Sequence, residues 1–362
     1  MNDTYLQILS HFDLEEKAVE VTPFGNGHIN DTLKVTTSSG KGKYILQRIN
    51  HHIFKNVDML QHNIHTVTSH IRKKLEERNE TDIDRKVLTF LPAKDGKQYY
   101  HDGENYWRVC LMIPDSKSLE EVNPELSFEA GKAFGDFQSM LADLPEGTLG
   151  ETIPDFHNMI FRLQQFRDAL DANAAGRRDK VKDLVEEIEK RAEAMCIQED
   201  LYREGKLRKR INHCDTKVNN ILFDSNSGKV LCVIDLDTVM PGYVLSDIGD
   251  FIRTGANTGA EDDPDLNRVN VNMEIFKAYT RGYMETARSF LTPLEISLLP
   301  YGGRLLTYMQ TVRFLTDYIN GDTYYKIHHP EHNLQRTKAQ FKLLQSLEEH
   351  AEEMDGFMKT WL

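Results

Sequence analysis

Cysteine is sparse, with four in 362 residues, and Cys110, Cys196, Cys214 and Cys232 form no C-x-x-C pair. A zinc site of the usual spacing and a small disulfide framework are both excluded, and reduced, buried thiols are expected. Basic residues are outnumbered: 44 Lys and Arg face 57 Asp and Glu, for a net charge of −13. That balance argues against nucleic acid or an anionic membrane as partner, since both need a basic face. It leaves a nucleotide open, because a metal neutralises phosphates locally. No apolar run is long enough to span a bilayer. Met1-Asn2-Asp3-Thr4 has neither a basic region nor an apolar signal core, so a cytoplasmic protein is expected. No G-x-x-x-x-G-K-[ST] sequence is present, which excludes a P-loop for ATP. Internal repeats and low-complexity linkers are missing too.

What is present is a change of pattern along the chain. In the first third, Leu33 and Val35 alternate with Thr32, Lys34 and Thr36, and a Ser38-Ser39-Gly40 turn leads into Tyr44 to Ile49. A helix is predicted from about Asn56 to Leu75. Strands follow at Val87 to Leu91, Gln98 to Tyr100 and Tyr106 to Ile113, punctuated by Asp95-Gly96 and Asp102-Gly103. After Pro114 helices take over. Asn123 is placed to cap one, with Pro124 at its first position and Leu126, Ala130, Phe134, Phe137 and Leu141 on one face. A second helix from about Phe156 lines up Ile160, Leu163, Phe166 and Leu170. A charged helix covers about Arg178 to Met195, and an acidic amphipathic stretch runs from Lys338 to the end. The division expected is a nucleotide-binding lobe, residues 1–114, and a catalytic and acceptor-binding lobe, residues 115–362.

The helical region is interrupted once. Ile221-Leu222-Phe223 and Val230 to Ile234 read as two short strands joined by Asp224-Ser225-Asn226-Ser227-Gly228. Polar residues flank this hairpin: His213-Cys214-Asp215-Thr216-Lys217-Val218-Asn219-Asn220 before it, Asp235-Leu236-Asp237-Thr238 after it. Phosphoryl transfer needs positioning, neutralised phosphate charge and a group to take the acceptor hydroxyl proton. Asp215 suits the last task. Asn220 and Asp235 are oxygen ligands of the kind Mg²⁺ takes beside phosphates. The spacing H-x-D-x-x-x-x-N is the catalytic-loop pattern of protein kinases, with H-C-D in place of H-R-D. Turn capping is the plain alternative for His213, Asp215 and Asn220, and backbone hydrogen bonding for Asp237. Upstream, Phe24-Gly25-Asn26-Gly27-His28 precedes a strand and suits a phosphate-covering turn, although the third glycine of G-x-G-x-x-G is missing. Downstream, Asp247 in Ser246-Asp247-Ile248-Gly249-Asp250 is placed to brace the catalytic loop or cap a helix. The histidines at 62, 65 and 70 read as surface positions. Pro330 breaks the helical geometry that His328, His329 and His332 would need for a metal.

The catalytic segment resembles the aminoglycoside phosphotransferase and choline kinase superfamily. Gly27-His28-Ile29-Asn30, Tyr44-Ile45-Leu46-Gln47, Phe134-Gly135-Asp136-Phe137-Gln138, Ile234 to Gly242, Arg313 to Tyr318 and Pro330 to Leu334 resemble, more narrowly, the N-acetylhexosamine 1-kinase family. The resemblance implies an α+β, protein-kinase-like fold of two lobes, with a small antiparallel sheet in the first and mainly helices in the second. It implies transfer from ATP, with Mg²⁺, to the anomeric hydroxyl of N-acetylglucosamine or N-acetylgalactosamine. Asp215 would be the base, and Asn220 and Asp235 the metal ligands. Gly25, Gly27, Gln47 and Met112 would contact nucleotide, Met112 by its place in the hinge near Cys110 to Pro114. His28, Thr238, Arg313 and Tyr324 would line the sugar pocket. A salt bridge to Asp317 is the alternative for Arg313. Gln47 stands where kinases usually present a phosphate-contacting Lys, so the neutralisation of the α- and β-phosphates is left open. Other acceptors stay in view: an amine would call for carboxylates, for which Asp262, Asp263 and Asp265 are candidates. A nucleotide-binding pseudokinase is the reading from another class.

Overall fold

A computed structural model describes residues 2–25 and 29–362. The first elements are α1 (Asn2–Leu9), β1 (Ala18–Pro23), β2 (Asp31–Thr37), β3 (Gly42–Ile49), α2 (Val57–Glu77), β4 (Phe90–Leu91), β5 (Tyr100–His101), β6 (Tyr106–Leu111) and β7 (Ser116–Lys117). Then come α3 (Pro124–Leu141), α4 (Met159–Ala172), α5 (Lys182–Arg191), α6 (Ile197–Arg203), β8 (Arg210–Asn212), β9 (Ile221–Asp224), β10 (Val230–Val233), β11 (Met240–Gly242) and α7 (Val244–Gly255). The chain ends with α8 (Met273–Ala287), α9 (Pro293–Asn320), α10 (His332–Glu349) and α11 (Ala351–Met358). These pack into two interleaved units. One holds Met1–Leu119, Met140–Pro154 and Asn219–Met240; the other holds Glu120–Ser139, Asp155–Val218 and Pro241–Leu362.

The first unit is built on an antiparallel sheet in the order β1-β2-β3-β6-β4, with β5 also paired to β6. Alternation along the strands sorts its two faces. Leu33, Val35, Tyr44, Leu46, Trp107 and Val109 are buried on one face, against Ile8 and Leu9 of α1 and Phe12. The opposite face carries the row Thr32, Gln47 and Arg108, residues directly opposite one another across β2, β3 and β6. A second small sheet, β10-β9-β7, contains the predicted hairpin. Asp224 shapes its turn, accepting from the backbone N–H of Ser227 (2.6 Å) and of Asn226 (3.1 Å). In the predicted Val87–Leu91 strand Phe90 and Leu91 pair with β6, and the Thr89 carbonyl accepts from the N–H of Leu111 (2.9 Å).

The second unit is helical. Long α9 opens with a capping box, Thr292 with Glu295, and Pro293 at its first turn. α7 lies backbone to backbone on α9: a Cβ on Gly249 would sit 2.3 Å from the carbonyl oxygen of Gly302. Three helix predictions need correction. Ile160 is 41% exposed: α4, capped by Asn158, buries Met159, Leu163, Phe166 and Ala169 instead. The charged helix is shorter than its composition suggested, Lys182–Arg191, flanked by 3₁₀ turns at Arg178–Lys180 and Ala194–Cys196. The last amphipathic segment starts earlier than Lys338, at His332, two residues after Pro330.

Candidate active site

In the helical unit the loop after β8 is held by one buried carboxylate. Asp247, in the first turn of α7, accepts from the backbone N–H of His213 (2.8 Å) and of Cys214 (2.7 Å). Gln138 Nε2 donates to the same carboxylate (2.6 Å) and to Asn212 Oδ1 (2.8 Å), and its own Oε1 accepts from Tyr283 Oη (2.5 Å). The bracing expected of Asp247 is therefore present, and it fixes Cys214 in a left-handed conformation (φ +63°) directly before Asp215. Burial pushes the Asp247 carboxyl up to about 6, against the pull of these donors.

Asp215 is partly exposed and pairs with Lys217 Nζ at 2.7 Å. Burial opposes the Lys217 charge, but Asp215 and Asp250 outweigh it and raise its pKa. Around them the unit is rich in cations. His157 is pushed down to about 3 by burial and by Arg313, Arg162 and Arg253, with Asp215 opposing. The Arg162 guanidinium is pushed down to about 10 by burial and by Arg313. Arg313 lies 5.4 Å from the Phe156 ring, 5.9 Å from Tyr324 and 5.7 Å from Tyr325. Tyr324 is 58% exposed, so it does not fill the core. The carboxylate of Asp317 is turned to the backbone N–H groups of Thr323 (2.9 Å), Tyr324 (2.8 Å) and Tyr325 (2.9 Å), which shapes the turn that presents both rings.

In the sheet unit the backbone N–H of Ile234 donates to the Asn220 carbonyl (2.9 Å), so Asn220 and Asp235 come together beside the hairpin. Asp235 is left-handed (φ 60°, ψ 59°). Two oxygen-bearing side chains fit a hard cation that draws its other ligands from phosphate and water. Among the described residues no group of three His, Cys, Asp or Glu is gathered for a metal. Asp237 is engaged otherwise. Its Oδ1 and Oδ2 accept from Arg108 Nη1 (2.5 Å) and Nη2 (2.9 Å), and Asn30 Nδ2 donates to Oδ2 (2.6 Å). Gln47 Oε1 accepts from Arg108 Nε (2.9 Å), while its Nε2 donates to Thr32 Oγ1 (3.0 Å). Gly25 has φ +74° in the β1–β2 turn. Gly27 and His28 lie outside the described residues. Met112 follows β6, its N–H bonded to the Lys43 carbonyl (2.9 Å). Thr238 is buried at the end of the 3₁₀ turn Leu236–Thr238.

The sequence signature of the phosphotransferase enzyme family matches residues 20–283. The chain belongs to this phosphotransferase family. Solved structures with the same fold include an aminoglycoside phosphotransferase from Alicyclobacillus acidocaldarius, 13% identical over 98% of this chain and 94% of that one, with a TM-score of 0.58. A spectinomycin phosphotransferase complexed with ADP and spectinomycin matches at 12% identity, 98% and 99% coverage, and a TM-score of 0.59. A choline/ethanolamine kinase family protein from Mesorhizobium loti gives 13%, 99% and 99%, and 0.59. The phosphotransferase chain thus has the α+β, protein-kinase-like architecture expected of it. No helix among its described residues is long and apolar enough to cross a membrane.

Four side chains of this phosphotransferase bear on the site without a role drawn from its sequence motifs: Arg108, His157, Arg162 and Lys217. Lys217 had a signal in the spacing D-x-K. Arg108 had another, a lone charge inside the apolar strand Tyr106-Trp107-Arg108-Val109-Cys110-Leu111, where a buried ion demands a partner. His157 and Arg162 carry no comparable mark.

Proposed function

We propose that the chain transfers the γ-phosphoryl group of ATP to the C1 hydroxyl of an N-acetylhexosamine, giving the sugar 1-phosphate. Asp215 accepts the hydroxyl proton, and its carboxylate is aimed by the loop that Asp247 holds. Lys217, 2.7 Å from Asp215, offers positive charge to the transferring phosphoryl group. Asn220 and Asp235 would hold Mg²⁺, whose charge offsets that of the phosphates. Gly25, Gly27, Gln47 and Met112 serve the nucleotide; the ADP complex of the spectinomycin phosphotransferase supports nucleotide use here.

The observation that carries the choice of acceptor is charge. The side chains whose fields meet at His157 include Arg313, Arg162 and Arg253, with Asp215 opposing; Arg253 is itself paired with Asp250 (2.8 Å) and Glu261, so Arg313 and Arg162 set the balance. That is a poor bed for an ammonium and a good one for the oxygens of a neutral sugar, which a guanidinium fork grips. The acidic residues named for an amine each already have a partner. Asp262 pairs with His332 (2.8 Å), Asp263 accepts from the N–H of Asp265 (3.0 Å), and Asp265 from that of Asn267 (3.1 Å). Arg313 and exposed Tyr324 then present a donor and a ring face to the sugar, with Thr238 and His28 as further contacts.

An ATP-consumption screen over N-acetylhexosamines, neutral hexoses, choline and aminoglycosides tests this reading. Turnover is expected with N-acetylglucosamine or N-acetylgalactosamine, and Asp215→Asn should remove it while ATP still binds. Turnover confined to amines refutes the sugar assignment, and wild-type rates in Asp215→Asn refute the mechanism.

A further inference from the structure

We propose that Arg108 supplies to the nucleotide phosphates the positive charge that β3 lacks at Gln47. The inference rests on the reading of the chain as an ATP-dependent kinase. A triphosphate site needs fixed cations, and the strand position that could present one carries a neutral amide. Arg108 is its direct cross-strand partner, and Gln47 Oε1 accepts from Arg108 Nε at 2.9 Å. The missing charge is therefore displaced by one strand on the same face of the sheet.

The surroundings of Arg108 point to phosphate. At the same end of the sheet the N–H of Phe24, after β1, bonds the Thr32 carbonyl of β2 (2.9 Å). Asn30, just before β2, donates to Asp237 (2.6 Å). Asp237 lies two residues beyond Asp235 and is gripped by Arg108 with two bonds. Gln47 of β3 and Asp237, two residues after Asp235, thus meet at one guanidinium, and Asn30 joins them through Asp237. Three of its five N–H groups are engaged by these bonds. The Arg108 and Asp237 side chains are each only 3% exposed, so solvent screens them weakly and Asp237 offsets part of the guanidinium's field. Asp235 also acts on Arg108. Without the guanidinium, the buried Asp237 carboxylate would lose its ion-pair partner two residues from Asp235. A purely structural pair would need none of this convergence and is often matched by apolar residues of the same volume.

Calorimetric titration with ADP and with adenosine, both in EDTA, tests the proposal. Arg108→Met and Arg108→Lys are compared in an Asp237→Asn background, where removing Arg108 strands no buried carboxylate. Arg108→Met should bind ADP at least tenfold more weakly than that background, Arg108→Lys within threefold of it, and adenosine affinity should not move. Should Asp237→Asn fail to fold, the same two substitutions are compared in the parent. Equal ADP affinity with and without the positive charge overturns the proposal. An equal loss for ADP and adenosine also overturns it, because that marks general damage to the sheet. A parent that binds no ADP overturns the kinase reading itself, a result distinct from the other two.

Discussion

Asp247→Asn should separate the stability of the protein from its turnover. Three N–H donors meet the Asp247 carboxylate: His213 and Cys214 from the backbone, and Gln138 Nε2. An asparagine keeps one oxygen and turns an NH₂ toward at least one of those donors. The better orientation keeps His213 and Gln138 and loses Cys214, at about 1.5–3 kcal/mol for a bond to a charged group. Against this, the buried carboxylate is costly. Its pKa is pushed up to about 6 from an ordinary 3.8. About two units correspond to roughly 3 kcal/mol relieved at pH 7 by a neutral side chain. The two effects nearly cancel, so stability at pH 7 should change by no more than about 1–2 kcal/mol. The sign has a pH signature. Between about pH 4 and 6 the folded parent keeps a proton that the unfolded chain has lost, so its stability falls as pH rises through that window. The variant should lack that fall. Turnover should not survive as well: Cys214 loses the bond that holds its left-handed conformation, and Asp215 is the next residue. A misplacement of about 1 Å costs about 100-fold in rate. Urea unfolding at pH 4.5 and 7, with kcat from coupled ADP release, measures both. A kcat within threefold of the parent, or a loss above about 4 kcal/mol at pH 7, would refute the reasoning.

Two further substitutions probe the helical unit. Glu199 is buried; its Oε1 accepts from the N–H of Met159 (2.8 Å), its Oε2 has no partner among the described residues, and burial pushes its pKa up to about 7. Its charge costs stability as pH rises from 4.5 through 7, so Glu199→Gln should be more stable than the parent by about 3 kcal/mol at pH 8 and show no gain at pH 4.5. Melting curves at the two pH values decide it, and no gain at pH 8 counts against the argument. Gly249→Ala places a methyl 2.3 Å from the Gly302 carbonyl oxygen, and should cost about 1–3 kcal/mol by prying α7 from α9. Because α7 carries Asp247, kcat should fall as well; a urea midpoint equal to the parent's would show that the helices separate freely.

Much of the loop's layout was legible because it is local. The spacing from His213 to Asn220, the hairpin and the carboxylate of Asp235 lie within one short stretch, and Asp247 follows soon after. The helix at Asn56 was readable for the same reason: its cap, Asn56 Oδ1 accepting from Met59 N–H (3.0 Å), is three residues away. Arg108 was not readable as a partner of Gln47, because that pairing depends on the register of β3 against β6, 61 positions apart in the chain. His157 and Arg162 drew no notice because their setting is made by Arg313 and Arg253, far along the chain. Ile160 misled because periodicity gives the spacing of a stripe but not its edge, and here Met159 and Ala169 are buried beside Leu163 and Phe166.

The interleaving of the two units also constrains how the protein is made. The sheet unit is not complete until Met240 has been synthesised, because its hairpin segment is Asn219–Met240. Ser116 in β7 must wait for Asp224, 108 residues later, before it gains its strand partner. Closing so long a loop is slow relative to local helix formation. A nascent chain stopped after residue 119 should therefore present β7 as an unpaired edge open to mispairing. Neither unit can be exchanged as a single gene segment, and a split placed between residues 119 and 219 leaves each fragment missing part of its own fold.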